Sequence, residues 1–203
     1  MSNHSFIGGK VLARPRSLDK HEAILDAAAR ALAEHGASAT TARIARLAGV
    51  AEGTVFTYFE SKDALLNALY LHLKDGLRTA MMGEFPFEGS AEQRARHAWN
   101  AYVSWGVADP DGRRAMRQLD ISGRIEEANR VAGAQGFCAV RDIFREQLAN
   151  ADGLPQEQRL AFCGALFSSM AETTMDFIAQ EPGRHEAYRE AGFQAVWAAL
   201  QAH

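Results

Sequence analysis

The stretch Thr41-Ala42-Arg43-Ile44-Ala45-Arg46-Leu47-Ala48-Gly49-Val50-Ala51-Glu52-Gly53-Thr54-Val55-Phe56-Thr57-Tyr58-Phe59 decides the reading of this chain. Its spacing predicts a short helix, capped by Thr41 (or Thr40), that turns Ile44 and Leu47 inward and stops at Gly49. A second short helix follows over roughly Glu52 to Phe59. Neither reaches the length of about 12–15 residues that an isolated helix needs in water, so both must be packed together. Gly49 can supply the positive φ that swings the chain sharply, and Val50 plugs the inside of the turn. Ile44, Ala45, Ala48, Val55 and Phe59 then close a small core against Ile24 and Ala28. Glu52, Gly53, Thr54, Phe56, Thr57 and Tyr58 are left facing outward. A second helix presented in this way has the geometry of a recognition helix entering a major groove.

The exposed face points to a partner, because Phe56, Thr57 and Tyr58 on one small helix are costly in water alone. Thr54, Tyr58 and Lys62 place two hydroxyls and a cation along one flank, suited to phosphate oxygens. The N-terminus of the next helix, at Ser61-Lys62, adds backbone N–H groups for the same purpose. Two roles stay open for Glu52: accepting from cytosine N4, or favouring its own helix N-terminus.

Working outward, residues 1–17 read as a flexible arm with Gly8, Gly9 and Pro15, whose Arg14 and Arg16 are candidates for minor-groove or phosphate contact. A helix is expected from Asp19, with Glu22 completing a capping box, to Gly36; its apolar face is Ile24, Ala28, Ala31 and Leu32. Ser61 caps a longer helix through Leu65, Leu66, Leu69, Leu73 and Leu77. Beyond Pro86 the pattern stays helical: Ser90 with Gln93 opens a helix ending at Asp109-Pro110, and a short one runs from about Asp111 to Ser122. A long helix to about Asn150 contains Gly133 and Gly136, which are candidates for a bend beside a pocket. After a loop at residues 151–155, two last helices cover roughly 156–180 and 185–202. The expectation is an all-α fold of about nine helices without strands, divided into an arm (1–18), a helix-turn-helix domain (19–65) and a larger C-terminal domain (66–203).

The chain of 203 residues is 47% hydrophobic and 23% charged, ordinary for a globular protein. No run approaches the roughly 20 apolar residues of a membrane span, and residues 1–17 lack the apolar run of a secretory signal, so a cytoplasmic location without membrane contact is expected. The net charge of −3 divides unevenly: residues 1–62 carry eight Lys/Arg against six acids, and residues 63–203 carry fourteen against nineteen. That asymmetry permits nucleic-acid contact by the N-terminal part. Cys138 and Cys163 are too few and too far apart for a disulfide framework or a zinc site, and read first as reduced core thiols, with a redox-sensing regulator as an alternative. The scattered histidines, and the lack of a Gly-rich phosphate loop or nucleophile elbow, leave a small helical ligand carrier or enzyme as the weaker reading; no catalytic residue, metal site or cofactor is expected.

The run Ala23-Ile24-Leu25-Asp26-Ala27-Ala28 through Leu32, with Gly36, Thr40-Thr41, Ile44-Ala45, Ala48-Gly49-Val50, Gly53 to Phe59 and Ser61-Lys62-Asp63-Ala64-Leu65-Leu66, resembles the DNA-binding domain of tetracycline-repressor-like (TetR) regulators. The resemblance covers about a quarter of the chain. It implies an all-helical homodimer, in most members a repressor, that binds a palindromic double-stranded operator and is released by a small-molecule effector held in the C-terminal domain. It implies phosphate contacts from Thr41, Thr54, Tyr58 and Lys62, and groove-facing positions at Arg43, Glu52, Gly53, Phe56 and Thr57. Two residues depart from the family pattern. Phe56 stands where tyrosine is usual, which removes a hydroxyl and favours contact with a thymine methyl. Ala51 stands where a serine cap is common, at a cost of roughly 1 kcal/mol of helix stability.

The C-terminal part is less legible. Its aromatic and methionine residues fall mostly at core spacing, and the family logic makes Trp99, Tyr102, Met116, Phe137, Phe167 and Met170 candidates to line an effector pocket. His97, Arg117, Asp120, Arg124, Arg141, Glu172 and Asp176 are polar candidates to orient a ligand, although Asp120 and Arg124, four residues apart, are expected to form an intrahelical ion pair. Leu166, Phe177, Phe193, Val196, Trp197 and Leu200 on the last two helices are candidates for a four-helix dimer interface.

Overall fold

The computed structural model of the chain describes residues 15–148 and 154–201. Within them lie ten α-helices and no strand. The first four are α1 (Pro15–His35), α2 (Thr41–Ala48), α3 (Glu52–Tyr58) and α4 (Lys62–Met82). They are followed by α5 (Ala91–Ala108), α6 (Pro110–Ile121), α7 (Glu127–Gln135), α8 (Cys138–Gln147), α9 (Gln156–Gln180) and α10 (His185–Gln201). None of these helices is long and apolar enough to cross a membrane.

The polar punctuation of the sequence sets most helix starts. Thr40, not Thr41, caps α2, its hydroxyl accepting from the Arg43 N–H at 3.2 Å. Ser61 accepts from the Ala64 N–H at 3.0 Å. Ser90 and Gln93 form the expected reciprocal capping box ahead of α5. Asp109 caps α6 through the Gly112 N–H at 2.8 Å, with Pro110 in the first position, where its missing N–H costs nothing.

Three expectations need correction. The first helix begins at Pro15 rather than Asp19, so Asp19 and Glu22 lie within α1 and make no capping box. Of the arm read over 1–18, residues 15–18 are therefore helical; residues 1–14, with Arg14, lie outside the described residues, as do residues 151–153 of the predicted loop. The long helix expected to run to Asn150 is two, α7 and α8, broken at Gly136. This accounts for ten helices where about nine were predicted. Finally, Asp120 and Arg124 do not pair within a helix. The helix α6 stops at Ile121, Gly123 turns the chain with φ 67°, and Arg124 is carried away to bond Asp63 at 2.9 Å.

Helix α1 packs on both α2 and α6. That double contact explains why Ile24, Leu25, Ala27, Ala28, Ala31 and Leu32 are all buried, a wider stripe than one helix neighbour would need. At 1.5 Å per residue, α4 extends about 30 Å. It leaves the first three helices and runs into the body built from α5, α7, α8, α9 and α10. Its buried Asn67 ties the α6–α7 connection to it. The Asn67 amide donates to the carbonyls of Asp63 (2.8 Å) and Arg124 (3.1 Å) and accepts from the Glu126 N–H (2.9 Å) and Asn129 Nδ2 (2.8 Å). Every hydrogen-bonding position of the side chain is used.

Candidate nucleic-acid interface and ligand cavity

The turn between α2 and α3 closes as the glycine predicts. Gly49 is left-handed at φ 68°, its N–H reaches the Arg46 carbonyl at 3.2 Å, and the Val50 N–H reaches Ala45 at 3.0 Å. This is the paired bond pattern of a Schellman end, which a residue with a Cβ would strain. Ile44, Ala45, Val55 and Phe59 are buried beneath it; Leu47, Ala48 and Val50 are partly so. Ala51 gives α3 no side-chain cap.

On the outer face Glu52, Gly53, Phe56 and Thr57 are exposed, while Thr54 and Tyr58 are half-buried. Phe56 keeps 46% of its surface open. No atom beyond its chain neighbours and its own helix backbone lies within 4 Å of where a Cβ would stand at Gly53, so nothing packed against that position requires glycine there. The Thr57 hydroxyl donates back to the Gly53 carbonyl at 3.1 Å. Tyr58 and Phe59 lean on the His21 ring of α1, with centroids 6.2 and 4.9 Å away.

Four of the candidate contact residues, Thr41, Glu52, Arg43 and Lys62, have hydrogen-bond partners outside their own helix. Thr41 donates to Glu52 Oε1 at 2.6 Å, joining the first residue of α2 to the first residue of α3. Arg43 donates to Glu34 Oε2 at 2.7 Å, and this hydrogen bond holds the Glu34 carboxyl below its ordinary pKa. Lys62 donates to the Ala37 carbonyl at 2.9 Å; burial, then the neighbouring Arg124, lowers its pKa. Of the groove-facing set, Gly53, Phe56 and Thr57 are the exposed positions with no partner beyond α3 itself, and they share one short helix with the flanking hydroxyls of Thr54 and Tyr58.

A cavity of about 350 Å³ lies between α4, α5, α6 and α9, and a second of about 150 Å³ adjoins it between α4, α5, α8 and α9. They share Lys74, Tyr102 and Ser168 as lining residues. The larger lobe is polar. Arg113, almost fully buried, bonds Glu172 at 3.3 Å and Asp176 at 2.9 Å, while its Nε has no partner. Desolvation raises the Glu172 carboxyl against the pull of Arg113. The smaller lobe is walled by Leu77, Met81, Phe137, Val140, Phe144 and Phe167.

Of the six predicted pocket residues, Tyr102 and Met116 line the polar lobe, and Tyr102, Phe137 and Phe167 the apolar one. Met170 falls instead in a separate crevice with Leu166. Trp99 is wholly buried core, its Nε1–H donating to the Arg189 carbonyl at 2.9 Å. Among the polar candidates Arg117, Asp120, Glu172 and Asp176 reach the larger lobe and Arg141 the smaller. Lys74 and Ser168 went unpredicted. Lys74 carried a signal: Tyr70, Lys74, Leu77 and Met81 recur at helical spacing, so a cation interrupts an apolar stripe.

Phe193, Val196 and Leu200, predicted at a dimer interface, are buried inside the protomer, because α10 turns that stripe toward α5, α8 and α9. Trp197 is partly buried, stacked near Phe193. The open apolar positions are Phe162, Leu166 and Phe177 along α9. Cys138 is exposed and Cys163 half-buried, its thiol pKa pushed up by burial, which is opposite to what a redox-active cysteine needs.

Two short helices closed by a left-handed glycine, backed by a third and feeding a long helix into an all-helical body, form a helix-turn-helix module. Residues 24–69 match the family model described as bacterial regulatory proteins, tetR family. Two similar relatives are the HTH-type transcriptional regulators BetI of Escherichia coli, 40% identical over 74 residues, and YhgD of Bacillus subtilis, 34% identical over 76. Each match covers 35% of this chain and 38% and 40% of those proteins respectively, so the matched part spans about two fifths of their length. A solved tetR-family transcription regulator from Shewanella superposes with a TM-score of 0.74 at 27% identity, over 89% of this chain and 97% of its own. The chain is thus similar to the tetR-family model over residues 24–69 and shares the all-helical fold of a solved tetR-family regulator over most of its length.

Proposed function

We propose that the chain binds a palindromic double-stranded operator as a homodimer and represses transcription until a small molecule in the cavity releases it. Residues 19–65, together with the preceding turn of α1, read the DNA; residues 66–203 hold the effector and the partner copy, and no catalysis is involved. The protein acts in the cytoplasm. The observation that carries this reading is α3 itself. It exposes Phe56 and Thr57 beside a glycine that the interior does not need, which suits a backbone brought close against base edges. Thr54, Tyr58 and Lys62 flank that face for phosphates, with Lys62 exchanging the Ala37 carbonyl for an anion.

The cavity supports the responsive half. Helix α4 lines both lobes with Lys74 and begins at Lys62 on the DNA side, while α6 lines the polar lobe and packs directly on α1. A ligand that shifts α4 or α6 therefore moves the recognition helix, and its preference for one arrangement sets how far DNA is released. The exposed α9 stripe of Phe162, Leu166 and Phe177 is the surface proposed for the partner copy.

Fluorescence anisotropy with duplexes from the chain's own upstream region tests the proposal, alongside the solution mass of free protein and complex. A salt-dependent specific complex containing two copies is expected. Binding indifferent to sequence at every duplex, or a complex with a single copy, contradicts it.

A further inference from the structure

The geometry points to a compact organic anion, an arene carboxylate or a close equivalent, as the ligand of the smaller lobe, with its apolar ring enclosed there and its charged group at Lys74. This deepens the effector reading above and rests on it. The lobe has the volume, about 150 Å³, at which an apolar protein cavity accepts a benzene-sized body. Phe144 and Phe167 stand with centroids 5.7 Å apart, and Tyr102 stacks on Phe167 at 6.1 Å and 19°, so a ring would meet aromatic faces and edges.

The sign of the ligand charge follows from the groups around the lobe. Its charged lining consists of Lys74 and Arg141, with no carboxylate. Arg141 already bonds Glu157 at 3.3 Å. Lys74 has no carboxylate within ion-pairing distance among the described residues, and its ammonium lies 5.3 Å from the Tyr70 ring. Asp120 acts on it only through space, against an opposing Arg130, and burial lowers its pKa. A half-buried, unpaired cation lining an apolar lobe where it adjoins the polar one, together with Tyr102 and Ser168, is an anion site awaiting its counter-charge. Gly133 makes the placement possible: a Cβ there would stand 2.9 Å from Tyr70 and 3.2 Å from Lys74, so glycine lets α7 pack closely against both side chains. A cationic ligand would suffer from Lys74 and Arg141, and a neutral one would leave Lys74 unpaired.

Isothermal titration of the full chain with benzoate, benzamide and benzylamine tests the assignment, with Lys74→Gln and Val140→Trp as variants checked for folding by circular dichroism. Benzoate is expected to bind, with benzamide and benzylamine at least about tenfold weaker, a difference of roughly 1.4 kcal/mol. Lys74→Gln should abolish the preference for benzoate over benzamide, and Val140→Trp should block both by filling the lobe. Benzylamine binding as well as benzoate, benzoate binding untouched by Lys74→Gln, or no benzoate binding up to about 10 mM overturns the assignment. Release from DNA is scored separately. Benzoate binding at Lys74 without release leaves the anion site standing and removes the effector reading. Release by benzylamine alone keeps the effector reading and removes the anion site.

Discussion

Gly53 occupies the first turn of a seven-residue helix, where alanine would be worth up to about 1 kcal/mol more. With open space above it, Gly53→Ala should stabilise the free protein by roughly 0.5–1 kcal/mol in denaturant unfolding, yet weaken DNA binding, because the methyl stands where the groove must come. A variant that gains stability and keeps full affinity would place the groove elsewhere. Lys74 presents the same conflict between stability and function. A lysine whose folded-state pKa lies below its ordinary 10.5 weakens the fold wherever it is charged. The loss is complete below the lowered value and disappears as pH rises past about 10.5. Lys74→Met should therefore raise the thermal midpoint at pH 7 by roughly 2 °C, with the gain over wild type shrinking as pH approaches that limit. An unchanged or lowered midpoint would mean that the ammonium is better satisfied than its surroundings indicate.

Among the elements, α2 and α3 were legible from sequence because their punctuation is local. Thr40 and Gly49 act on their own helix ends, and Ile44, Ala45, Val55 and Phe59 answer one small core. The sequence places the start of α1 too late because Asp19 imitates a cap, while Pro15 opens the helix a turn earlier. The inward turn of Phe193, Val196 and Leu200 was not readable either: an apolar stripe does not say whether it meets its own chain or another copy. Asn67 shows the same limit, since a single amide in a leucine-rich helix reveals nothing of its three partners at the α6–α7 connection, Arg124, Glu126 and Asn129. Asn67→Ala should cost about 2–3 kcal/mol in denaturant unfolding, by leaving the Glu126 N–H and the Arg124 carbonyl without partners. Because that connection joins the cavity helix α6 to the DNA end of α4, the same variant should blunt any effect of ligand on DNA affinity. A loss below about 0.5 kcal/mol would show that water replaces the amide and that the joint is not rigid.

At the scale of the molecule, the helix-turn-helix leads into the start of α4 and the cavity lies along its middle and C-terminal half, one built from residues with local sequence signatures and the other from contacts among five helices. The exposed α9 stripe would bring two such units together, and their half-sites would then be separated by about one turn of DNA or a multiple of it. Selection of bound sequences from a random duplex pool, run in parallel with wild type and Phe56→Ala, tests the central claim that α3 reads DNA. An inverted repeat should be enriched by the wild-type chain, and Phe56→Ala, still folded, should lose preference at a position within each half-site. No enriched sequence with the wild type, or the same repeat enriched equally by Phe56→Ala, would contradict the assignment of α3 as the reader.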